Sequence, residues 1–172
     1  AFDPPPRDAG PMFCGLRCRA ATIAAGAAHT CAVAEGGEVL CWGSNEDGQR
    51  GPAPPADIDA GAYPEFSTPV ASGIIVAAGG SHSCALGYDG QIMIWCWGSN
   101  EAGQIDGHPS PTSAEVRPAV EAAGSASSIA AGDAHTCGVV AAHVVCWGSN
   151  AYGQRDPQVG AAVDGVSFVN ST

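Results

Sequence analysis

One pattern occurs three times in this chain. AAGAAHTCAVAEGGEVLCWGSNEDGQ runs from Ala24 to Gln49, AAGGSHSCALGYDGQIMIWCWGSNEAGQ from Ala77 to Gln104, and AAGDAHTCGVVAAHVVCWGSNAYGQ from Ala130 to Gln154. Cys31, Cys84 and Cys137 follow one another at a constant interval of 53 residues, and His29, His82 and His135 keep the same interval. Trp42, Trp97 and Trp147 do not, so the insertions fall between two fixed blocks, as loops do. A period of about 40–50 residues is the signature of propellers and solenoids, in which one unit cannot bury its own faces and stacks on its neighbours.

Each unit reads as strands. A pre-strand (Thr68 to Val70, Val116 to Val120, Val163 to Val169) precedes a small-residue strand that passes through Ile23, Ile75 or Ile129 to Ala-Ala-Gly. A hairpin then runs from the His to Cys-Trp-Gly and closes in a Gly-Ser-Asn and Gly-Gln corner. Cys31 and Cys41 are equidistant from Gly36, and Cys84 and Cys96 from Gly90, while Cys137 and Cys146 flank Ala141-Ala142, a poorer turn sequence. Residues equidistant from a turn lie opposite one another across two antiparallel strands, so each pair is a candidate disulfide. The alternatives are buried free thiols or a zinc site, the latter opposed by the spacing. Cys14 and Cys18 stand outside the repeats and either bond each other or leave one for a partner.

The composition fits this reading. With 24 Gly, 13 Pro and 6% aromatic residues, the chain favours short elements and turns, and disulfides would compensate for a thin core. All six basic residues are arginines, against 17 carboxylates, giving a formal net charge of −11. That balance opposes binding to nucleic acid or an anionic bilayer. No apolar run reaches the roughly 20 residues of a membrane span. The N-terminus lacks a secretory-signal pattern, so the chain reads as a mature, trimmed form. Cysteines used in pairs point to an oxidising space, extracellular, periplasmic or an organelle lumen.

AAGAAHT, GEV and WGSNEDGQ, with comparable strings in the other two units, resemble the repeats of the regulator-of-chromosome-condensation family, in its cysteine-containing branch. The resemblance covers roughly residues 22 to 172. It implies an all-β fold, a partial β-propeller of about three four-stranded blades with cross-strand disulfides. A Pro-rich segment, 1–21, would precede a propeller-like domain, 22–172, with repeats at about 22–66, 67–115 and 116–172. Propellers of this family usually carry seven blades and propellers in general close with about 4–8, so three leave an open arc whose two edges would be covered by the segment before Thr22, a second copy of the chain or a different protein. The stub Val163 to Val169 would pack beside the first unit if the arc closed and otherwise stay an edge. The Leu-Gly of the family after Gly-Gln is replaced by Arg50-Gly51, Ile105-Asp106 and Arg155-Asp156, which weakens the expectation for corner geometry.

No nucleotide loop, nucleophile elbow or calcium spacing is present in the sequence. Once-per-blade residues are assigned structural roles: His29, His82 and His135 through a hydrogen bond to a neighbouring loop carbonyl, Trp42, Trp97 and Trp147 by packing, and Gln49, Gln104 and Gln154 at the corners. Loop carboxylates such as Asp57, Asp59, Glu65, Asp106, Glu115 and Glu121 read as a solvated acidic coat. Ile92, Met93, Ile94 and Trp95 form an unusually apolar hairpin arm that suggests a docking patch. The chain is therefore expected to be a non-enzymatic accessory subunit without cofactor or metal, binding other protein subunits or a further copy of itself. An enzyme inhibitor acting through loops 50–66 and 105–117 is one alternative, and a glycan or small-molecule binder or hydrolase using the histidines is another.

Overall fold

The computed structural model describes residues 19–52, 66–67, 72–88, 90–110, 113–120, 126–155 and 168–170. These form three four-stranded sheets, one per repeat. The first contains β1 (Ala20–Ala25), β2 (His29–Ala34), β3 (Val39–Gly43) and β4 (Phe66–Ser67). The second contains β5 (Gly73–Ala78), β6 (His82–Tyr88), β7 (Ile92–Gly98) and β8 (Ser113–Val120). The third contains β9 (Ala126–Ala131), β10 (His135–Val140), β11 (His143–Gly148) and β12 (Phe168–Asn170). Each sheet is a blade with its small-residue strand at one edge, and neighbouring blades meet through β1 with β5 and β5 with β9.

The blade and the sequence repeat are offset by one strand. Val116 to Val120, which opens the third repeat, belongs to β8 and pairs with β7, so it closes the second blade. Thr68 to Val70 lies outside the described residues, and β4 ends just before it, paired with β3. Of the stub, 163–167 lies outside the described residues, and the rest joins its own hairpin instead of the first unit. There β12 runs parallel to β11, whereas β4 and β8 are antiparallel to their partners. A parallel return needs a connection of a dozen or more residues, and 149–167 supplies it.

Register places the cysteines directly opposite one another, at Cys31↔Cys41, Cys84↔Cys96 and Cys137↔Cys146. Each pair is joined as a disulfide with Cα atoms 4.1 Å apart, the close approach of a non-hydrogen-bonded antiparallel pair. Cys14 and Cys18 lie outside the described residues.

The core is not inside the blades but between them. One cluster joins the first two blades through Cys31, Val33, Val39, Cys41, Val76, Ala85 and Trp97. The other joins the second and third through residues that include Cys84, Leu86, Ile94, Cys96, Ile129 and Trp147. The apolar arm expected as a docking patch is in part taken up by this packing, with Met93 partly buried. Ile94 is fully buried, and Ile92 and Trp95 pack against the two clusters, because a blade with a neighbour on each side buries both of its faces.

The Cys31–Cys41 and Cys84–Cys96 disulfides lie in this packing, so their loss is felt there. The double replacement Cys84→Ala with Cys96→Ala should lower unfolding free energy by roughly 2–3 kcal/mol for a loop of this length, read from denaturant titration of the non-reduced protein. In the third hairpin both loop residues, Ala141 and Ala142, have positive φ, at 50° and 64°. That is the two-residue turn that Asn-Gly adopts without strain, and each left-handed alanine costs about 1 kcal/mol or more. Replacing the pair with Asn-Gly should therefore raise stability by about 1–2 kcal/mol in the same titration.

Candidate functional site

The residues repeated once per blade converge on the seams between blades. At the first seam, Ser83 Oγ of the second blade donates to the Gln49 carbonyl of the first at 2.7 Å. That hydroxyl has only one proton, so the 2.8 Å contact from His29 Nε2 to the same Oγ must be His29 donating. The Trp97 indole donates to the Gln49 carbonyl as well, at 2.9 Å. The second seam repeats this with the numbers advanced. His82 Nε2 donates to Thr136 Oγ1 at 2.8 Å, Thr136 Oγ1 donates to the Gln104 carbonyl at 2.9 Å, and Trp147 Nε1 donates to that carbonyl at 2.9 Å.

The expected imidazole-to-carbonyl bond is thus corrected: the next blade's hydroxyl stands between the ring and the carbonyl. Sequence reasoning missed Ser83 and Thr136, although a hydroxyl residue follows the His in all three units, as Thr30, Ser83 and Thr136. It also assigned each Trp only to packing, whereas Trp97 and Trp147 each reach back to a carbonyl of the preceding blade.

Corner loops hold that carbonyl in place. Asn45 Oδ1 accepts from the Arg50 backbone N–H at 2.8 Å, and Gln49 Oε1 accepts from that of Asp47 at 2.9 Å. Asn100 with Ile105 and Gln104 with Ala102 repeat the pair, as do Asn150 with Arg155 and Gln154 with Tyr152. The corner holds without the family's Leu-Gly: the position after Gln contributes a backbone N–H in each unit, and in the second the Ile105 side chain is also buried in the core. Asp106 is more than part of an acidic coat, since its carboxylate accepts from Asn100 Nδ2 at 3.0 Å.

Ala-Ala-Gly also has a physical reason. A Cβ at Gly79 would overlap the His82 ring and the Gly132 carbonyl of the next blade. The glycine is what leaves room for the imidazole beside the end of β5.

His29 and His82 are buried, and neither Nδ1 has a hydrogen-bond partner. Protonation would place a charge there with no acceptor. Burial therefore lowers the pKa of His29, offset in part by the His82 backbone. His82 is lowered to about 4, first by burial and then by repulsion from His29 and His135. Neither ring is available to solvent as a general base. Among the described residues, no group of three or more His, Cys, Asp or Glu could hold a metal ion, and no helix is long and apolar enough to cross a membrane.

The Regulator of chromosome condensation (RCC1) repeat pattern matches residues 20–49, 74–104 and 126–154, the segments that build the hairpins and corners. The chain belongs to the RCC1 repeat family. It is 31% identical over 155 residues to the Arabidopsis thaliana RCC1 domain-containing protein RUG3, mitochondrial, covering 80% of this chain and 32% of the relative. Human "Probable E3 ubiquitin-protein ligase HERC6" is 31% identical over 163 residues, which are 84% of this chain and 15% of that one. Among solved structures, yeast RCC1 (Prp20), crystallised with Kap60, aligns with a TM-score of 0.60 and 21% identity over 76% of this chain and 29% of that chain. The chain thus spans about a third or less of these proteins. The RCC1-type match lies wholly in the repeats, and proteins built on such repeats commonly mediate protein interactions.

An RCC1 seam with a buried neutral histidine should be acid-sensitive. The folded pKa of His82, about 4, lies below the unfolded value of 6.5. Stability should be level above about pH 6.5 and fall as pH drops toward 4. The loss should be of order 3 kcal/mol from this group, and a His82→Gln variant should lose that part of the slope in denaturant titrations against pH.

Proposed function

We propose that this chain is a non-enzymatic, protein-binding module, a structural or accessory subunit that works in an oxidising compartment. The observation carrying this reading is the contrast between equivalent residues at the seams and at the ends of the array. Trp97 and Trp147 are 0% and 1% exposed, but Trp42, their equivalent in the first blade, is 39% exposed. Val76 and Ile129 are 6% and 8% exposed, but their equivalent Ile23 is 67% exposed. At the other end Tyr152 stands out from its corner, 93% exposed. An apolar face held open by a rigid sheet is a docking surface, and aromatic anchors are typical of such surfaces.

The closure of His29 and His82 supports the same reading against a hydrolase or glycan binder that uses those two rings. A ring that is sealed between blades and already donating to a hydroxyl offers neither access nor a free base. Disulfides within all three hairpins support an oxidising space, where such bonds persist.

Photo-crosslinkers placed at Trp42 and Tyr152, and at Glu46 as a control, test the proposal in extracts of the native compartment. Protein adducts should form at the first two positions and be suppressed by excess unlabelled chain. Absence of adducts at both positions, or a hydrolytic activity abolished by His82→Gln with folding intact, would contradict it.

A further inference from the structure

Two of the hairpin bridges do more than hold two strands together, because each lies at a single seam. Cys31 and Cys41 of the first blade share a cluster with Val76, Ala85 and Trp97 of the second. Cys84 and Cys96 of the second blade share theirs with Ile129 and Trp147 of the third. All four cysteines are fully buried. A thiolate that reduces a disulfide must reach one of its sulfurs, so the rate of exchange depends on access as well as on chemistry. With the next blade seated, neither bridge offers that access.

The contact each bridge receives from across the seam includes the linking hydroxyl. Ser83 Oγ is 3.4 Å from Cys31 Sγ, and the same oxygen accepts from His29 Nε2 and donates to the Gln49 carbonyl. Thr136 Oγ1, 3.9 Å from Cys84 Sγ, holds the corresponding place between His82 and Gln104. Two thiols cannot keep the bonding distance of a disulfide, and a close-packed interior has no spare room for sulfurs that move apart. The hydroxyl in the middle of the hydrogen-bond chain stands in their way.

We propose that the Cys31–Cys41 and Cys84–Cys96 bridges are redox latches, each reducible only while its own seam is open and each, once reduced, releasing the blade that follows. The reductant is a dithiol. One of its thiolates attacks a bridge sulfur to form a mixed disulfide, and the cysteine thiolate set free takes up a proton. The second thiolate of the reductant then displaces the other cysteine, which is protonated in turn. Two electrons pass to the hairpin, leaving two thiols there and a cyclic disulfide on the reductant. Blade docking is thereby tied to the thiol–disulfide poise of the surroundings: the array stays locked in an oxidising space and loosens seam by seam in a reducing one.

The test follows the full non-reduced chain in dithiothreitol at neutral pH. Thiols are trapped with iodoacetamide at intervals and assigned by peptide mass, while nitrogen-edited NMR follows deuterium exchange at the Trp97 and Trp147 indole N–H groups. Both bridges should be reduced about a hundredfold or more slowly than in the same chain unfolded in urea, since only the open fraction reacts. Exchange at Trp97 should quicken in step with reduction of Cys31–Cys41, and exchange at Trp147 with reduction of Cys84–Cys96. Removing a hydroxyl from one blade should act on the bridge of the blade before it. Ser83→Ala should speed reduction of Cys31–Cys41 about tenfold and leave Cys84–Cys96 unchanged, and Thr136→Val should do the reverse. Trp97→Phe and Trp147→Phe, which remove the indole donor but keep an aromatic ring, carry the same expectation where a hydroxyl variant fails to fold.

Reduction as fast as in the unfolded chain would show the bridges open to the reagent and overturn the latch. So would an indole that stays protected after its bridge has been reduced, or a seam variant that speeds both bridges alike, the mark of whole-chain unfolding.

Discussion

A single chain of hydrogen bonds, from imidazole to hydroxyl to corner carbonyl, with an indole meeting the same carbonyl, is what the architecture depends on. It occurs twice, at His29–Ser83–Gln49–Trp97 and at His82–Thr136–Gln104–Trp147. Buried polar groups are costly when unpaired, and in each seam the imidazole Nε2–H, the hydroxyl and the indole N–H all find acceptors, which leaves the bare Nδ1 as the one unpaired atom of each ring. Here the network fixes where one blade sits on the next. The apolar clusters supply cohesion around it, and their members come from both blades of each seam.

The disulfides belong to the same device. Cys31 Sγ lies 3.4 Å from Ser83 Oγ, and Cys84 Sγ lies 3.9 Å from Thr136 Oγ1, so the bridges of the first two blades each pack against a linking hydroxyl. A hairpin of small residues has little apolar area with which to hold its own strands together. Clipping it with sulfur keeps the His and the Trp at its base in register, and that register is what the next blade reads. The central histidines are thus framework residues, and their resistance to protonation follows from a buried Nδ1 with no acceptor.

Much of this was legible in the sequence, for identifiable reasons. Mirror placement of Cys31 and Cys41 about Gly36 depends only on strand geometry, and it predicts their pairing because opposite residues in an antiparallel hairpin must meet. Recurrence once per unit pointed to framework positions, and six of those residues, His29, His82, Trp97, Trp147, Gln49 and Gln104, meet at the two seams. The partners across each seam were not legible. Ser83 and His29 are 54 residues apart, and no local rule connects them. Nor did hydropathy distinguish Ile94 and Trp95 from an exposed patch, since a face reads as apolar whether its neighbour is the next blade or another molecule. The Ala141-Ala142 turn shows tertiary pairing overriding poor local turn chemistry.

The account rests on the protonation state of two rings, and nitrogen NMR reads that directly. Long-range proton–nitrogen correlation spectra of the folded, non-reduced protein at neutral pH should show His29 and His82 as neutral imidazoles, protonated on Nε2 and bare on Nδ1. Either ring found protonated on Nδ1, or found as an imidazolium, would contradict the seam as described.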